Sequence, residues 1–493
     1  MIHGVARKTN GRRVMGEETD IAALTVDGTP IALRARDIAV FQSGLRGSLV
    51  RAGDPAYEDS RKLWNGMIDR RPALVVRPTG TADVVECVNF ARGRGLLLSI
   101  KGGGHNIAGT AVAEGGLTLD MSRMKGVFVN PTDRTARVQP GCILGEVDRE
   151  TQLHGLATPF GFVSETGVAG LTLGGGFGYL TRRFGWSVDN LLEVEIVTAD
   201  GLVVHASNQE HPELFWAVRG GGGNFGVVTS FAYRLHPVGP KIVGGLIAWP
   251  ANRAAKILEL YRRTTASAPR ELTLVLVLRF APPAPFIPPD WRGKPIVGIV
   301  ACHTGSLEQG HRDLAPLKEF GGAIVDVITE TTYVQQQSML DANQPKGNHY
   351  YWKSEYLSAL PDPVLSVIRE HGARETSLLC QMVLFHIGGA ISEKGLQDGA
   401  VGNRDAAFAM VVAGGWPPSD GAGQRHIAWV RTAWESLRPF STGGHYINFE
   451  TADEGEERTH ASYGQNFDRL AEIKAKYDPQ NLFRMNRNIS PSA

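Results

Sequence analysis

The stretch Lys101-Gly102-Gly103-Gly104-His105-Asn106 follows directly on a strand–helix–strand pattern. Residues 73–76 form a short apolar run typical of a strand, and residues 78–81 (PTGT) predict a turn that ends in a helix N-cap at Thr81. Val84, Val88 and Ala91 then recur at helical spacing, and residues 96–100 predict a second strand. The triple glycine therefore follows directly after the second strand of a predicted βαβ unit.

Two more glycine-rich segments lie at residues 161–178 and 219–226, a further motif without glycine lies at residues 481–489, and the 493 residues include 59 glycines. Gly221, Gly223 and Gly226 match G-x-G-x-x-G, but a helical pattern precedes them and a strand follows, which is the reverse of a Rossmann site. Glycines in tight turns or bulges would explain one such cluster. Three clusters within about 130 residues favour a ligand instead, because glycine lets backbone N–H groups approach an anion closely.

Composition narrows the class of protein. The 51 basic and 50 acidic residues leave a net charge of +1, which gives no reason to expect nucleic acid or a membrane surface as a partner. Basic residues near the start are not followed by an apolar run, so we expect a cytoplasmic protein. The four cysteines form no C-x-x-C pair, which argues against a zinc site, and we expect no metal.

Four motifs in order carry a family resemblance. They are residues 101–106, the glycines of 167–178 (GVAGLTLGGGFG), residues 219–226 (RGGGGNFG) and residues 477–489 (YDPQNLFRMNRNI). They resemble the motifs of berberine-bridge-enzyme-like FAD-linked oxidases, which belong to the vanillyl-alcohol-oxidase or PCMH superfamily. Within that family the chain is most similar to the bacterial hydroxynicotine-oxidase type.

The resemblance implies an α+β fold with two domains. Residues 37–240 and 446–493 would form a PCMH-type FAD-binding domain from both ends of the chain. Residues 241–445 would form a central substrate domain, in which helices cover an antiparallel sheet. The composition changes at residues 236–240 (HPVGP), where we place the boundary. Residues 1–36 are polar and aperiodic, and we expect a loose arm.

The resemblance also implies a covalent FAD, bonded through the imidazole of His105. Many relatives add a cysteine link, but the matching position here is Val163, so we expect one covalent bond only. Thr166, three positions later, would control oxygen access to the flavin. The expected cofactor contacts are Lys101, Gly102, Gly103, Gly104, His105, Asn106, Thr166, Gly167, Gly170, Gly174, Gly175, Gly176, Gly178, Asn224, Gly226, Val227, Asn486 and Asn488.

Candidates for the catalytic proton acceptor are Tyr446, Asn448, Gln381 and His386, with Thr166 beside the reaction site. Strand alternation places Gln381 and His386 on opposite faces, so they share a site only if a bulge intervenes. A structural role is an equal alternative for His386. The glutamate base that the family often uses is not identifiable in this chain.

The resemblance implies an oxidase that removes a hydride from a C–OH or C–N group of a small molecule and passes the electrons to molecular oxygen. Three alternatives stay open at this point. They are a flavin dehydrogenase with another acceptor, a non-redox cyclase on the same scaffold, and a binding module without flavin. A homodimer is an assembly that the sequence leaves open.

Overall fold

The computed structural model describes residues 19–492. Its strands are β1 (Ile21–Leu24), β2 (Pro30–Leu33), β3 (Ser48–Arg51), β4 (Leu74–Arg77), β5 (Leu98–Lys101), β6 (Leu117–Asp120), β7 (Val127–Asn130), β8 (Thr135–Val138), β9 (Leu156–Ala157), β10 (Leu191–Val197), β11 (Val203–Ser207), β12 (Val227–Arg234), β13 (His236–Pro237), β14 (Lys241–Pro250), β15 (Leu272–Phe280), β16 (Pro295–His303), β17 (Val325–Asp326), β18 (Thr329–Thr332), β19 (His349–Leu357), β20 (Gln381–His386) and β21 (Phe408–Trp416). Its helices are α1 (Ala35–Gly44), α2 (Tyr57–Arg61), α3 (Thr81–Gly93), α4 (Leu144–Gln152), α5 (Val168–Leu173), α6 (Thr181–Phe184), α7 (Pro212–Val218), α8 (Ala254–Ser267), α9 (Leu307–Lys318), α10 (Tyr333–Ser338), α11 (Asp362–Gly372), α12 (Gly423–Leu437), α13 (Glu456–Tyr463) and α14 (Phe467–Tyr477).

The predicted βαβ unit is confirmed as β4, α3 and β5. The two strands lie on either side of β6, parallel to it, and β3 completes a four-stranded sheet as an antiparallel edge. The start of α3 differs from the prediction: Thr81 is the first helical residue, and no side chain forms an N-cap hydrogen bond there. The Asp83 carboxylate instead accepts the backbone N–H groups of Arg46, Gly47 and Thr79 at 2.8 to 3.0 Å, and so ties the first turn to the loop before β3.

A second, antiparallel sheet of the first domain has the strand order β11-β10-β12-β8-β7. It contains two hairpins, β7 with β8 and β10 with β11. Gly201, in the turn of the second hairpin, adopts a φ of +84°, which requires glycine at that point. The G-x-G-x-x-G residues lie between α7 and β12, as the sequence indicated, and not in a Rossmann turn.

The central part of the chain forms an eight-stranded antiparallel sheet, which begins at Lys241 directly after the predicted break. The strand order is β17-β14-β16-β15-β20-β21-β19, and β18 pairs with β14. One face packs on α8, α9, α11 and α12 through apolar residues such as Leu274, Leu276 and Met410. Because side chains alternate along a strand, the other face is turned to the first domain.

The prediction for the N-terminal end of the chain needs correction. Residues 1–18 lie outside the described residues, but residues 19–36 are not a loose arm. They form the β1–β2 hairpin, which buries Ala23 and Leu33 and donates the Leu24 N–H to the Gly115 carbonyl at 2.8 Å. At the other end of the chain, α13 and α14 are separate helices, because Gly464 between them adopts a φ of +52°. Within residues 19–492, no helix has the length and apolar character to cross a membrane.

Candidate functional site

A cavity of about 330 Å³ lies between the two domains. Loops at residues 102–106, 161–174 and 222–227, together with residues 485–487, line its first-domain side. Side chains of β19, β20 and β21 line the opposite side. The fold therefore brings all four sequence motifs around one space.

Two glycines mark the point where the first two loops cross. A Cβ atom on Gly103 would lie 2.4 Å from the backbone nitrogen of Gly167, and a Cβ on Gly167 would lie 2.3 Å from that of Gly103. Each contact is with backbone, which cannot rotate out of the way. Glycine is therefore required at both positions, and the crossing holds loop 102–106 against the segment that follows Val163.

Loop 102–106 presents a run of free backbone donors to the cavity. Within residues 19–492, the N–H groups of Gly103, Gly104, His105 and Asn106 donate to no protein acceptor. The Gly104 carbonyl accepts the N–H of Trp64 at 3.0 Å, so the loop is anchored through its carbonyl side. Successive free N–H groups form a concave anion site of the kind that suits a diphosphate.

The His105 imidazole lies in the cavity and is neutral. Its ring stacks on Trp64, with centroids 5.4 Å apart and planes 14° from parallel. Burial first, and then the positive charge of Lys346, lower the pKa of His105 to about 4, although the Glu165 carbonyl acts in the opposite direction. At neutral pH the ring therefore keeps a free nitrogen lone pair.

The position of a second covalent link lies in the cavity as well, but it holds Val163. Cys142 is buried elsewhere, with its Sγ atom 3.6 Å from the Gly126 carbonyl oxygen. Among the residues that the structure describes, no cysteine lines the cavity.

Tyr446 and Asn448 lie together against the glycines of the second loop. The Tyr446 hydroxyl oxygen accepts the N–H of Gly176 at 3.1 Å and the Asn448 Nδ2 at 2.8 Å. Asn448 also donates to the Leu171 carbonyl at 3.1 Å. Burial raises the pKa of Tyr446 and outweighs the two hydrogen bonds, which lower it, so the hydroxyl is protonated at neutral pH.

The structure places Gln381 and Thr166 in the cavity but not His386. β20 pairs with β15 and β21 in unbroken register, so the bulge that would bring Gln381 and His386 to one face is not there within this described strand. His386 Nε2 lies 2.6 Å from the Arg182 guanidinium, and its ring stacks on Phe408. Its role as a catalytic candidate is therefore wrong, and it is a structural residue at the domain junction.

Of the predicted cofactor contacts, two thirds line the cavity. They are Gly102, Gly103, Gly104, His105, Asn106, Thr166, Gly167, Gly170, Gly174, Gly226, Val227 and Asn486. The remaining residues lie behind the wall and support it. They are Lys101, Gly175, Gly176, Gly178, Asn224 and Asn488.

The supporting residues have identifiable structural roles. Lys101 donates to the Ser60 carbonyl at 2.5 Å and lies 3.5 Å from Asp120. Asn224 donates to the carbonyls of Gly221 and Arg487 and accepts the Ile489 N–H, so it joins the third glycine loop to the C-terminal segment. The side chains of Lys101 and Asn224 are therefore hydrogen-bonded within the protein, and they do not line the cavity.

Sequence reasoning missed the aromatic wall of the cavity. Its members are Trp64, Phe162, Phe177, Trp352, Phe385 and Phe449. They come from five separate segments, and only Phe162 and Phe177 lie in a glycine-rich segment. The only sequence pattern that could have indicated these residues is strand alternation, which places Val383 and Phe385 on one face of their strand. Alternation does not say which of the two faces meets the cavity.

Comparison with known proteins identifies the family. A model described as an FAD binding domain matches residues 72–207, and one described as berberine and berberine like matches residues 445–490. An FAD-linked oxidoreductase of Dictyostelium discoideum is 31% identical over 456 residues, which cover 92% of this chain and 96% of that protein. The chain belongs to the berberine-bridge-enzyme-like FAD-linked oxidoreductases. The (R)-6-hydroxynicotine oxidase of Paenarthrobacter nicotinovorans is 29% identical over 461 residues, covering 91% of this chain and 97% of that enzyme.

Solved structures agree with this family. The 6-hydroxy-D-nicotine oxidase of Arthrobacter nicotinovorans superposes with a TM-score of 0.80 at 26% identity, covering 91% of this chain and 98% of that one. A chitooligosaccharide oxidase shares the fold, with a TM-score of 0.81 at 23% identity and coverage of 92% and 100%. The predicted α+β fold and FAD are confirmed, and the binding module without flavin is wrong.

The residues of this berberine-bridge-enzyme-like chain fit FAD. Besides the free N–H groups of loop 103–106, the buried Tyr463 hydroxyl and the Asn486 Oδ1 atom, both at cavity residues, have no partner in the part of the chain that the structure describes. Buried polar atoms of this kind need a bound partner. FAD, when bound, accepts a hydride from the substrate.

Proposed function

We propose that the protein is a monocovalent FAD oxidase, which removes a hydride from a carbon that bears oxygen or nitrogen and reduces oxygen to hydrogen peroxide. For an alcohol the balance is R₂CHOH + O₂ → R₂C=O + H₂O₂. The observation that carries the proposal is a neutral His105 in a cavity whose crossed loops present free backbone donors.

A covalent bond to His105 is supported by the protonation state of the ring. A nitrogen lone pair is needed to attack the activated 8-methyl carbon, and the lowered pKa of His105 keeps that lone pair free. Colour should therefore remain with the polypeptide after acid precipitation, and His105→Ala should release the flavin. FAD mass on another residue in a peptide map would contradict the assignment.

Molecular oxygen is the proposed electron acceptor. Thr166 and Val163 both line the cavity, and the Thr166 backbone is held by the Leu144 N–H at 2.9 Å. Thr166→Leu adds aliphatic volume at a fixed backbone, so it should slow reoxidation of the reduced flavin in stopped flow and change flavin reduction much less. Thr166→Val, which replaces the hydroxyl with a methyl group of similar volume, is the matched control. Wild-type reduced flavin that persists in air would favour a dehydrogenase.

Tyr446 is the proposed acceptor of the substrate proton. Burial keeps its hydroxyl protonated in the resting protein, so Tyr446 must first release its own proton to solvent. Donors from Gly176 and Asn448 then stabilise the phenolate that accepts the substrate proton. Turnover of an alcohol should therefore increase with pH. The alternative function is that of a non-redox cyclase. Such an enzyme would leave the flavin oxidised when substrate is added without oxygen.

A further inference from the structure

One row of side chains crosses four neighbouring strands above the cavity, and it consists of Arg279 (β15), Gln381 (β20), Ala413 (β21) and Trp352 (β19). The next row holds Val383 and Val411, and the third holds Phe385. All members of this surface, the sheet wall, line the cavity except Arg279, and they would face a substrate that approaches the flavin.

The sheet wall carries very little charge. Arg279 is its only charged side chain, and within the described strands β15, β19, β20 and β21 no carboxylate lies on this face. Asp341, at the cavity edge, accepts the N–H and hydroxyl of Ser164 at 2.8 and 2.5 Å, and Glu165 is exposed to solvent. Glu375, a buried carboxyl whose charge acts on Arg279, does not line the cavity. A cationic amine would therefore find no free buried carboxylate among the described residues that line the cavity.

Carbohydrates fit the sheet wall poorly for a related reason. Several sugar hydroxyls would lie against Val383, Val411 and Phe385, where they lose water and gain no hydrogen bond. Flat rings suit the wall better. Phe162 stacks on Phe385 with centroids 4.8 Å apart, and Trp352 meets Phe449 edge to face at 5.4 Å. Aromatic ligands gain from such surroundings beyond their apolar area.

Gln381 supplies one directed polar contact within this apolar wall. Arg279 Nη1 donates to Gln381 Oε1 at 3.4 Å, so the carbonyl side of the amide is turned to the guanidinium. The Nε2 amino group has no acceptor among the described residues and is left as a donor. It would bind an oxygen acceptor on the ligand.

We propose that the site takes an uncharged aromatic molecule, and that the Arg279–Gln381 pair selects one that bears an oxygen acceptor. This inference rests on the proposed oxidase function and narrows its substrate from alcohols, sugars and amines to one class. Gln381 is a specificity-determining residue in this assignment, and Arg279 is a positioning residue that orients its amide.

The test compares two nearly isosteric probes, 4-methylanisole and 4-ethyltoluene, which differ by one oxygen atom. Each is titrated anaerobically into the holoenzyme, and binding is read from the visible flavin spectrum. The wild type should bind 4-methylanisole about 5-fold more tightly, the value expected for one neutral hydrogen bond. Gln381→Leu should bring the ratio to about 1, and Met382→Leu, on the opposite face of β20, should leave it unchanged.

A second variant keeps the test independent of whether Gln381→Leu folds. Gln381→Glu exchanges the donor for an acceptor, so it should lose the preference for the ether and gain affinity for protonated 2-phenylpyrrolidine. Wild-type binding or flavin reduction by cellobiose or 2-phenylpyrrolidine at lower concentration than 4-methylanisole would overturn the proposal. Equal affinities of the two probes would do so as well.

Failure of the underlying oxidase function gives a different result. Covalent flavin content and reoxidation by oxygen after photochemical reduction are measured on the same preparation without any substrate. If both are normal while the probe ratio is about 1, the substrate class is wrong and the oxidase function stands.

Discussion

Gly167→Ala should prevent the chain from assembling its cofactor site. The added Cβ would lie 2.3 Å from the Gly103 nitrogen, whereas an ordinary contact needs about 3.4 Å, so the two loops must separate by about 1 Å. Overpacking of this kind costs about 1–3 kcal/mol of folding free energy. The larger effect is expected on the affinity for FAD.

Loop 103–106 moves with Gly103, and a hydrogen bond of about 2.9 Å lengthened by about 1 Å is no longer a hydrogen bond. Two lost contacts to a charged phosphate amount to about 3–6 kcal/mol. Non-covalent affinity for FAD should therefore decrease by about 10² to 10⁴ before the covalent bond can form. The loss comes from geometry alone, because no donor is removed.

The assay is the ratio of flavin to protein absorbance in the purified and in the acid-precipitated chain, with thermal unfolding of the same samples. Gly93→Ala is the matched control, since a Cβ at that helix end meets no atom within 4 Å. It should retain full flavin and equal or slightly higher stability. Wild-type flavin content in Gly167→Ala would refute the argument that the crossing positions the loop.

Three further predictions follow from the same structure. Tyr446→Phe leaves the Gly176 N–H without its acceptor, so it should cost about 1–3 kcal/mol in denaturant unfolding as well as lowering kcat, whereas unchanged stability would contradict the observed hydrogen bond. Lys474→Met leaves Asp478, 2.6 Å from the ammonium, buried without its partner, and it should destabilise the chain by about 3–5 kcal/mol; a loss below about 1 kcal/mol would count against this ion pair. Burial lowers the pKa of His236 to about 4 from its ordinary 6.5, so its contribution to stability is complete above pH 6.5 and lost as the pH falls toward 4. His236→Gln should therefore have a shallower fall in Tm between pH 7 and 5 than the wild type, and parallel curves would disprove the assignment.

Much of the first domain is predictable from the sequence because its signals are local. The β4–α3–β5 unit follows from the spacing of apolar residues over 73–100. The hairpin turn at Gly201 follows from the dipeptide Asp200-Gly201, which is typical of such turns. The N-terminal hairpin escaped detection, since its two four-residue strands bury only Ala23 and Leu33 and gain their stability from contacts with Gly115 and Leu97. Those partners lie far along the chain.

The sequence by itself determined where the backbone comes close to a ligand. Gly103, Gly167 and His105 lie in short contiguous motifs, and glycine allows the close approach of backbone that such motifs need. Tertiary structure decided which face of β20 meets the cavity, since one residue of register exchanges Gln381 for His386. It also decided that rings from five segments form one wall and that Asn224 supports the site from behind. Such outcomes depend on how sheets pair and domains pack, and no local pattern encodes that.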